Sequence, residues 1–193
     1  MKFIFATNNL NKLEEVQHQC SEELTIIGLK DAGINEDIPE TSDTIEGNAI
    51  QKAQYIWNNY KLSCFADDTG LCIEALNGDP GVYSARYAGP EKDAKRNMEL
   101  VLDKLKTEDN REAFFQTSIA LIEDGALTVF TGKVLGRITN DLSGDKGFGY
   151  DPIFVPEGHS NTFAQMSMDE KNAISHRGKA VAKLIEYLNR PKT

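Results

Sequence analysis

"SCFADDTGLCIEAL", residues 63–76, runs from an apolar segment into Asp67 and Asp68, passes through Thr69 and Gly70, and becomes apolar again. Asp and Gly favour turns, so the pattern predicts a strand, a tight turn and a second strand. Two adjacent carboxylates at the end of a buried strand are costly, because desolvation and mutual repulsion both disfavour the ionised pair. The stretch therefore predicts that a cation lies close to these two acids.

Strand and helix patterns alternate around this stretch and predict an α/β fold. The strand patterns are KFIFAT (2–7) and LTIIGL (24–29), and the helix patterns are NKLEEVQHQC (11–20), a helix beginning near Thr44, a helix over about 93–106, and HRGKAVAKLIEYLN (176–189). Residues 113–139 predict two strands joined at Asp124-Gly125, which is a strong hairpin signal. Because a hairpin pairs its strands antiparallel, the sheet is expected to be mixed.

Length and composition predict a single domain over residues 1–193. The chain of 193 residues is long enough to bury its own core, and it contains no internal repeat or Pro/Ser-rich linker. The three cysteines, Cys20, Cys64 and Cys72, lie in apolar contexts and match no zinc-binding spacing. We expect them to be reduced and mostly buried.

The charge distribution excludes some classes of partner. The formal net charge is −9 and there is no run of Lys and Arg, which argues against nucleic acids and membrane surfaces as general partners. The N-terminal apolar run is short and no segment reaches roughly 18 apolar residues, so a cytoplasmic location is expected. An anionic substrate would therefore have to meet a local cluster of basic residues.

ATNNLNK (6–12) is the first candidate site, because it leads from the first strand into a helix with Lys12 in its first turn. Free backbone N–H groups at a helix start, together with a lysine, suit a phosphate group. The alternative is that Asn9 or Asn11 simply caps the helix.

The acids of the opening stretch, joined by Glu40 in PETSD, are the second candidate site. Mg²⁺ takes oxygen ligands and is commonly held by one or two carboxylates together with substrate phosphates. The alternative is an exposed turn, which Asp and Gly also favour.

GFGYDP (147–152) is the third candidate. Its glycines would let the backbone approach a flat ligand while Phe148 stacks on it and Asp151 accepts hydrogen bonds from ring N–H groups. A glycine-rich turn that leads into a strand explains the motif equally well.

EKNAISHRGKA (170–180) is the fourth candidate, because it presents Lys171, His176 and Arg177 together ahead of the last helix. Ser175 is a candidate cap for that helix, and the alternative for His176 is an ordinary histidine in a capping region. His18 and His159 have no such neighbours and are expected at the surface.

Other catalytic motifs are missing from the sequence. There is no GxxxxGK followed by Ser or Thr, no GxGxxG after a strand, no HExxH and no GxSxG. Nucleophilic catalysis by Ser or Cys therefore has no visible support.

In this order, TNNLNK, DDTGL, PGVYSARYAG, GFGYDPIF and EKNAISHRGKA resemble the inosine triphosphate pyrophosphatase family over residues 3–188. The resemblance implies an elongated mixed sheet flanked by helices, with two lobes and the active cleft between them. It also implies a homodimer and Mg²⁺-dependent hydrolysis of ITP, dITP and XTP to the monophosphate and pyrophosphate. Many bacterial members look like DDSGL where this chain has Thr69, which keeps the hydroxyl.

The resemblance also assigns roles to individual residues. It places the catalytic carboxylate on Asp68 and the metal-binding glutamate on Glu40. The mechanism expected on this basis has Asp68 bind Mg²⁺ and accept a proton from the attacking water, while Asp67 and Glu40 hold the metal or its waters. Lys12, Lys52 and Lys171 are expected to neutralise charge on the pyrophosphate leaving group. The substrate-binding residues are Thr7, Asn8, Asn9, Lys12, Lys52, Thr69, Phe148, Gly149, Tyr150, Asp151, Lys171, His176 and Arg177.

Base selection is expected to follow hydrogen-bond polarity. Hypoxanthine and xanthine present a 6-oxo acceptor, which donors from His176, Arg177 or the backbone would match, whereas adenine presents an amino group. GVYSARYAG is expected to form either a subunit interface or a lid, the alternative being a packed surface loop. The competing functions are a nucleotide sensor without turnover and a pyrophosphatase for other nucleotides, such as modified pyrimidines.

Overall fold

The structure is a computed structural model that describes residues 2–20 and 24–190. In these residues six strands form one mixed sheet in the order β2-β1-β3-β4-β5-β6. The strands are β1 (Lys2–Phe5), β2 (Thr25–Ile27), β3 (Cys64–Ile73), β4 (Glu112–Glu123), β5 (Ala126–Ile138) and β6 (Phe154–Pro156). β1 pairs parallel with β2 and β3, and the remaining pairs are antiparallel. The predicted mixed α/β fold is confirmed.

Five α-helices flank the sheet in the described part of the chain. They are α1 (Leu10–Gln19), α2 (Ile45–Tyr60), α3 (Ala94–Lys104), α4 (Met168–Ile174) and α5 (His176–Leu188). The side chains of Thr44, Asp93 and Ser175 cap α2, α3 and α5, each accepting a hydrogen bond from a backbone N–H of the first turn. The predicted helices near 44, 93 and 176 are therefore confirmed.

β3 corrects the prediction of a tight turn at Thr69 and Gly70. The strand is unbroken, and every residue from Cys64 to Ile73 pairs with a residue of β4. The long neighbouring strand supplies a backbone partner at each position, and this outweighs the local turn preference. Gly70 instead permits a close approach, since a Cβ there would lie 2.6 Å from the carbonyl oxygen of Gly81.

The β4–β5 hairpin is confirmed at the predicted position. Asp124 and Gly125 both have positive φ, 49° and 88°, as a two-residue turn of this kind requires. The two long strands of this hairpin, together with β3, form the part of the sheet that runs through the whole length of the fold.

Apolar side chains pack at both ends of this long sheet. At one end, α2 covers one face with Ala49, Ala53 and Ile56, and α1 and α5 cover the other with Val16, Val181 and Leu184. At the other end, α3 and the 3₁₀ segments pack on Leu71, Ile73, Phe115 and Phe154. The sheet therefore joins two lobes, as the resemblance implies.

The cysteines are free, with Cys64 buried and Cys20 and Cys72 half-buried. Burial raises the pKa of the Cys64 thiol to about 12, so this thiol stays protonated at neutral pH. Across residues 2–20 and 24–190, every helix is too short or too polar to cross a bilayer.

Candidate functional site

A cleft of about 590 Å³ lies where the two lobes meet. Ala6 and Leu29 of the α2 end line one part of it, and Phe115 and Tyr150 of the α3 end line another. The cleft gathers all but one of the site residues singled out in the sequence, namely Thr7, Asn8, Asn9, Lys12, Glu40, Lys52, Asp68, Thr69, Phe148, Gly149, Tyr150, Asp151, Lys171, His176 and Arg177. Asp67 lies beneath its surface.

Asp67 and Asp68 lie on opposite faces of β3, because successive side chains of a strand alternate. Asp67 is 1% exposed, and its Oδ1 accepts a hydrogen bond from Lys12 Nζ at 2.8 Å. Its Oδ2 lies 3.3 Å from both Nε and Nη2 of Arg177. Burial acts to raise the pKa of Asp67, but Lys12 and Arg177 outweigh it and hold the pKa well below the ordinary value.

Asp68 faces α2 and the cleft. Its Oδ2 accepts a hydrogen bond from Asn48 Nδ2 at 3.2 Å, and its Oδ1 lies 3.6 Å from Lys52 Nζ. Burial raises the pKa of Asp68 above the ordinary value, although Lys52 and Lys12 act in the opposite direction. A carboxylate with these properties can take a proton more readily than an ordinary aspartate.

Lys52 joins Asp68 to Glu40, because its ammonium group also forms an ion pair with Glu40 Oε1. Helical spacing puts Lys52 near the edge of the apolar stripe of α2, and the structure buries it there with 6% of the residue exposed. Burial acts to raise the pKa of Glu40, but Lys52 outweighs it and holds the pKa below the ordinary value. The two acids therefore share one cation.

Glu40 and Asp68 form a donor set that fits Mg²⁺. Within the described residues, no group of three or more His, Cys, Asp and Glu side chains is arranged to hold a metal. Mg²⁺ does not need such a cage, because one or two carboxylates completed by substrate phosphates are its usual ligands in nucleotide enzymes. Asp67 is less suitable as a ligand, since it is 1% exposed and lies beneath the cleft surface, whereas Glu40 and Asp68 both line the cleft.

Asn9 caps the start of α1, as the alternative to phosphate binding at this segment predicted. Its Oδ1 accepts hydrogen bonds from the backbone N–H groups of Asn11 and Lys12, at 3.0 and 3.3 Å. Asn9 N–H in turn donates to Thr7 Oγ1 at 3.1 Å. The cap fixes the first turn of α1, and this turn positions Lys12 in the cleft beside Asp67.

A second group of buried charges lies behind Phe148. Lys171 Nζ donates to Asp151 Oδ2 at 2.6 Å and to Glu15 Oε1 at 2.5 Å, and Arg177 Nη1 donates to Glu15 Oε2. The ammonium group of Lys171 lies 4.9 Å from the centre of the Phe148 ring. Lys171 therefore lies at the aromatic part of the cleft, and its expected role at the pyrophosphate group stays a prediction.

Glu15 was missed in the sequence, although it is 5% exposed and pairs with both Lys171 and Arg177. On a helix a glutamate is ordinarily a surface residue, so only its position three residues after Lys12, on the same side of α1, could have indicated it. Asn48, four residues before Lys52 on α2, was missed for the same reason.

The loop at 147–151 and His176 build an aromatic pocket. Phe148 N–H donates to Asp151 Oδ2 at 2.8 Å, and Gly147 and Gly149 have positive φ. His176 is stacked on Phe115 with ring centres 4.5 Å apart. Burial, with Arg177 and Lys171 nearby, lowers the pKa of His176 well below 6.5, so its ring is neutral. Its Nδ1 has no hydrogen-bond partner among residues 2–20 and 24–190.

Comparisons with known proteins agree with this architecture. Residues 3–187 match the Ham1 family. The dITP/XTP pyrophosphatase of Flavobacterium johnsoniae is 53% identical over 192 residues, which is 100% of both chains. That of Porphyromonas gingivalis is 50% identical over 188 residues, or 97% of each chain. The solved structure of the Staphylococcus aureus Ham1 protein is similar with a TM-score of 0.88 and 38% identity, covering 97% of this chain and 98% of that one.

Proposed function

This chain belongs to the Ham1 family, and on that premise we propose that it hydrolyses ITP, dITP and XTP to the monophosphate and pyrophosphate. The observation that carries the proposal is the cleft itself, where cationic groups and a carboxylate pair lie beside an aromatic pocket. Triphosphate, metal and purine each require one of these three environments. In the cell, such an activity removes deaminated purines from the nucleotide pool.

Asp68 is the proposed general base. Burial raises the pKa of Asp68, and the hydrogen bond from Asn48 orients one of its oxygens, so the carboxylate can accept a proton from the water that attacks the α-phosphorus. Asp68 and Glu40 would hold Mg²⁺, which supplies charge neutralisation and a more acidic water when bound. Lys12, which pairs with Asp67, and Lys52, which pairs with Glu40 and Asp68, would neutralise charge on the departing pyrophosphate.

Asp67 has a different proposed role from Asp68. Its carboxylate pairs with Lys12 on α1 and with Arg177 on α5, so it holds these two cations in the cleft at fixed positions. We propose that Asp67 orients Lys12 and Arg177, in place of the metal-binding role expected from the sequence.

Purine recognition is assigned to Phe148, His176 and the 148–151 loop. Phe148 offers a ring face for stacking, and the neutral imidazole of His176 offers one donor and one acceptor. A donor aimed at the 6-oxo group of hypoxanthine would meet the amino group of adenine, and such a mismatch costs roughly 1–3 kcal/mol. Poor use of ATP is therefore expected.

Homodimer formation and a cytoplasmic location are part of the same proposal. Tyr83, in the 3₁₀ segment Gly81–Arg86, is 53% exposed, which suits the interface expected for this loop. Light scattering after size-exclusion chromatography measures the oligomeric state directly, and a mass of one chain would contradict the dimer.

A hydrolysis panel tests the function. Purified protein is given ITP, dITP, XTP, GTP, ATP or dTTP, with Mg²⁺ or with EDTA, and pyrophosphate is resolved from orthophosphate. We expect pyrophosphate from ITP, dITP and XTP, only with Mg²⁺. Orthophosphate release, a preference for dTTP, or binding without turnover would each contradict the proposal.

A further inference from the structure

Arg86 is a cation of the cleft that the site described above does not use. It ends the 3₁₀ segment Gly81–Arg86 and lines the same cleft as Lys12 and Lys52. Its side chain is 31% exposed, so it is neither a buried structural arginine nor a free surface one. Its Nη1 lies 3.9 Å from Glu40 Oε2, whereas Lys52 pairs with the other oxygen of Glu40.

The backbone that carries Arg86 is firmly anchored by Asn97 of α3. Asn97 is 3% exposed, and its Oδ1 accepts a hydrogen bond from Ala88 N–H at 2.7 Å. Its Nδ2 donates to the carbonyl oxygen of Ala85 at 3.0 Å. These bonds hold the chain on both sides of Arg86, so its side chain extends into the cleft from a fixed point.

Ser84 anchors the same segment to the sheet and to the aromatic pocket. Its Oγ accepts a hydrogen bond from Leu71 N–H of β3 at 2.9 Å, and its carbonyl oxygen accepts one from Tyr150 Oη at 2.7 Å. The position of Arg86 is therefore coupled to β3, which carries Asp68, and to the loop that carries Phe148.

Glu40 has two cationic neighbours, Lys52 at Oε1 and Arg86 at Oε2, and Lys52 also pairs with Asp68. If Glu40 holds a metal ion, as the proposed function requires, Lys52 and Arg86 are both repelled from it. When the substrate binds, its triphosphate would bring negative charge close to Lys52 and Arg86. A guanidinium group can bind phosphate oxygens through two parallel hydrogen bonds, and this makes arginine well suited to that exchange.

We propose that Arg86 is a further substrate-binding residue, which pairs with the two phosphate groups that leave as pyrophosphate. The inference rests on the proposed function, since it requires a triphosphate in this cleft. Because the inference assigns Arg86 to the β- and γ-phosphates, removal of Arg86 should weaken the binding of a triphosphate and leave the binding of a monophosphate largely unchanged. An arginine that served only to neutralise Glu40, or only to pack on Tyr83, would affect both ligands alike.

Calorimetric titration with two ligands tests the inference. The wild type and Arg86→Ala are titrated with inosine monophosphate and with the α,β-methylene analogue of ITP, which cannot be cleaved, both with Mg²⁺. We expect Arg86→Ala to weaken binding of the triphosphate analogue by about 10- to 100-fold, the usual size of a lost charged hydrogen bond. Binding of the monophosphate should change less than about 2-fold, within the scatter of surface substitutions.

Two further variants control the experiment. Arg137→Ala removes the same charge from an exposed position of β5 outside this cleft and should leave both affinities unchanged. Arg86→Lys should recover part of the lost affinity for the triphosphate analogue. Equal losses for both ligands, or no loss for the analogue, would overturn the assignment of Arg86.

The wild type separates this inference from the proposed function. If it binds the triphosphate analogue more tightly than the monophosphate and Arg86→Ala preserves that difference, only the role of Arg86 is wrong. If the wild type binds neither ligand, the proposed function is wrong and the role of Arg86 is rejected with it.

Discussion

Asp67 and Asp68 are neighbours in β3, yet their carboxylates lie on opposite faces of the strand and meet different cations. Asp67 pairs with Lys12 and Arg177, whereas Asp68 pairs with Lys52. Their pKa values consequently move in opposite directions, down for Asp67 and up for Asp68. Two residues of the same type are thereby suited to two tasks, one holding cations in place and the other exchanging a proton.

Asp68→Asn should abolish most of the activity while the fold is kept. Loss of a general base typically lowers the rate by about 10²- to 10⁴-fold, and the amide retains the volume of the carboxylate. The measurement is kcat for ITP, with circular dichroism as the check on folding. Thr69→Ser, which keeps the hydroxyl group, is the control and should remain active. An Asp68→Asn enzyme as fast as the wild type would remove Asp68 from this role.

Asp67→Asn should act mainly on stability. The amide leaves Lys12 without its counter-charge and Arg177 with Glu15 alone, and breaking a buried ion pair costs on the order of 3–5 kcal/mol. Urea unfolding gives the free energy of unfolding. Asp109→Asn, at an exposed position, is the control and should change it little. A variant with an unchanged unfolding midpoint would show that Asp67 does not hold these cations.

The lowered pKa of Glu15 predicts how the free energy of unfolding depends on pH. Burial acts to raise its pKa, but Arg177 and Lys171 outweigh it and hold the pKa below 4.5. A carboxylate with a lowered folded-state pKa contributes stability that is present above its unfolded-state pKa and lost as pH falls through the folded-state pKa. Glu15→Gln should therefore be less stable than the wild type at pH 7, and the difference should shrink towards pH 3.

Urea unfolding at several pH values between 7 and 3 measures this difference. Glu99→Gln is the matched control, because Glu99 is exposed on α3 and its ion pair with Lys95 spans 3.9 Å. The control should follow the wild type at every pH. A difference between Glu15→Gln and the wild type that stays constant with pH would contradict the ion-pair role of Glu15.

His176→Ala should reduce the discrimination between bases more than it reduces the maximal rate. A hydrogen-bond mismatch at the base should lower kcat/KM for ATP by about 10- to 100-fold relative to ITP. Removal of the imidazole takes away one of the polar groups that create this mismatch. The measurement is kcat/KM for ITP and ATP, with His159→Ala at the exposed surface as the control. Equal losses on both nucleotides would argue against base recognition by His176.

The sequence predicted the regular elements and the membership of the cleft well. The hairpin turns at Asp124-Gly125 because both residues readily adopt the positive φ that the turn requires. Three helices begin where a side chain caps the first turn, namely at Thr44, Asp93 and Ser175. Such features depend on a few neighbouring residues, so a local pattern is sufficient to locate them. One sheet runs through both lobes, and the single domain expected from the absence of a linker stays a prediction.

The errors arose where distant parts of the chain decide the structure. Thr69 and Gly70 resemble a turn, but pairing along β4 keeps them in a strand, and this in turn places Asp67 and Asp68 on opposite faces. Glu15 resembles a surface residue of a helix, and only Lys171 and Arg177, more than 150 residues away, explain its burial. The pairing with β4 has no local signal, and Glu15 has only its position three residues after Lys12 on α1.

The unbroken course of β3 has a mechanical consequence. A strand that pairs with β4 at all ten of its residues cannot act as a hinge at its acids, because any bend there would break hydrogen bonds on that side. The positions of Asp67 and Asp68 relative to β4 are therefore set by the sheet itself. The two acids are thus preorganised by backbone pairing, so their placement in the site needs no contribution from a ligand.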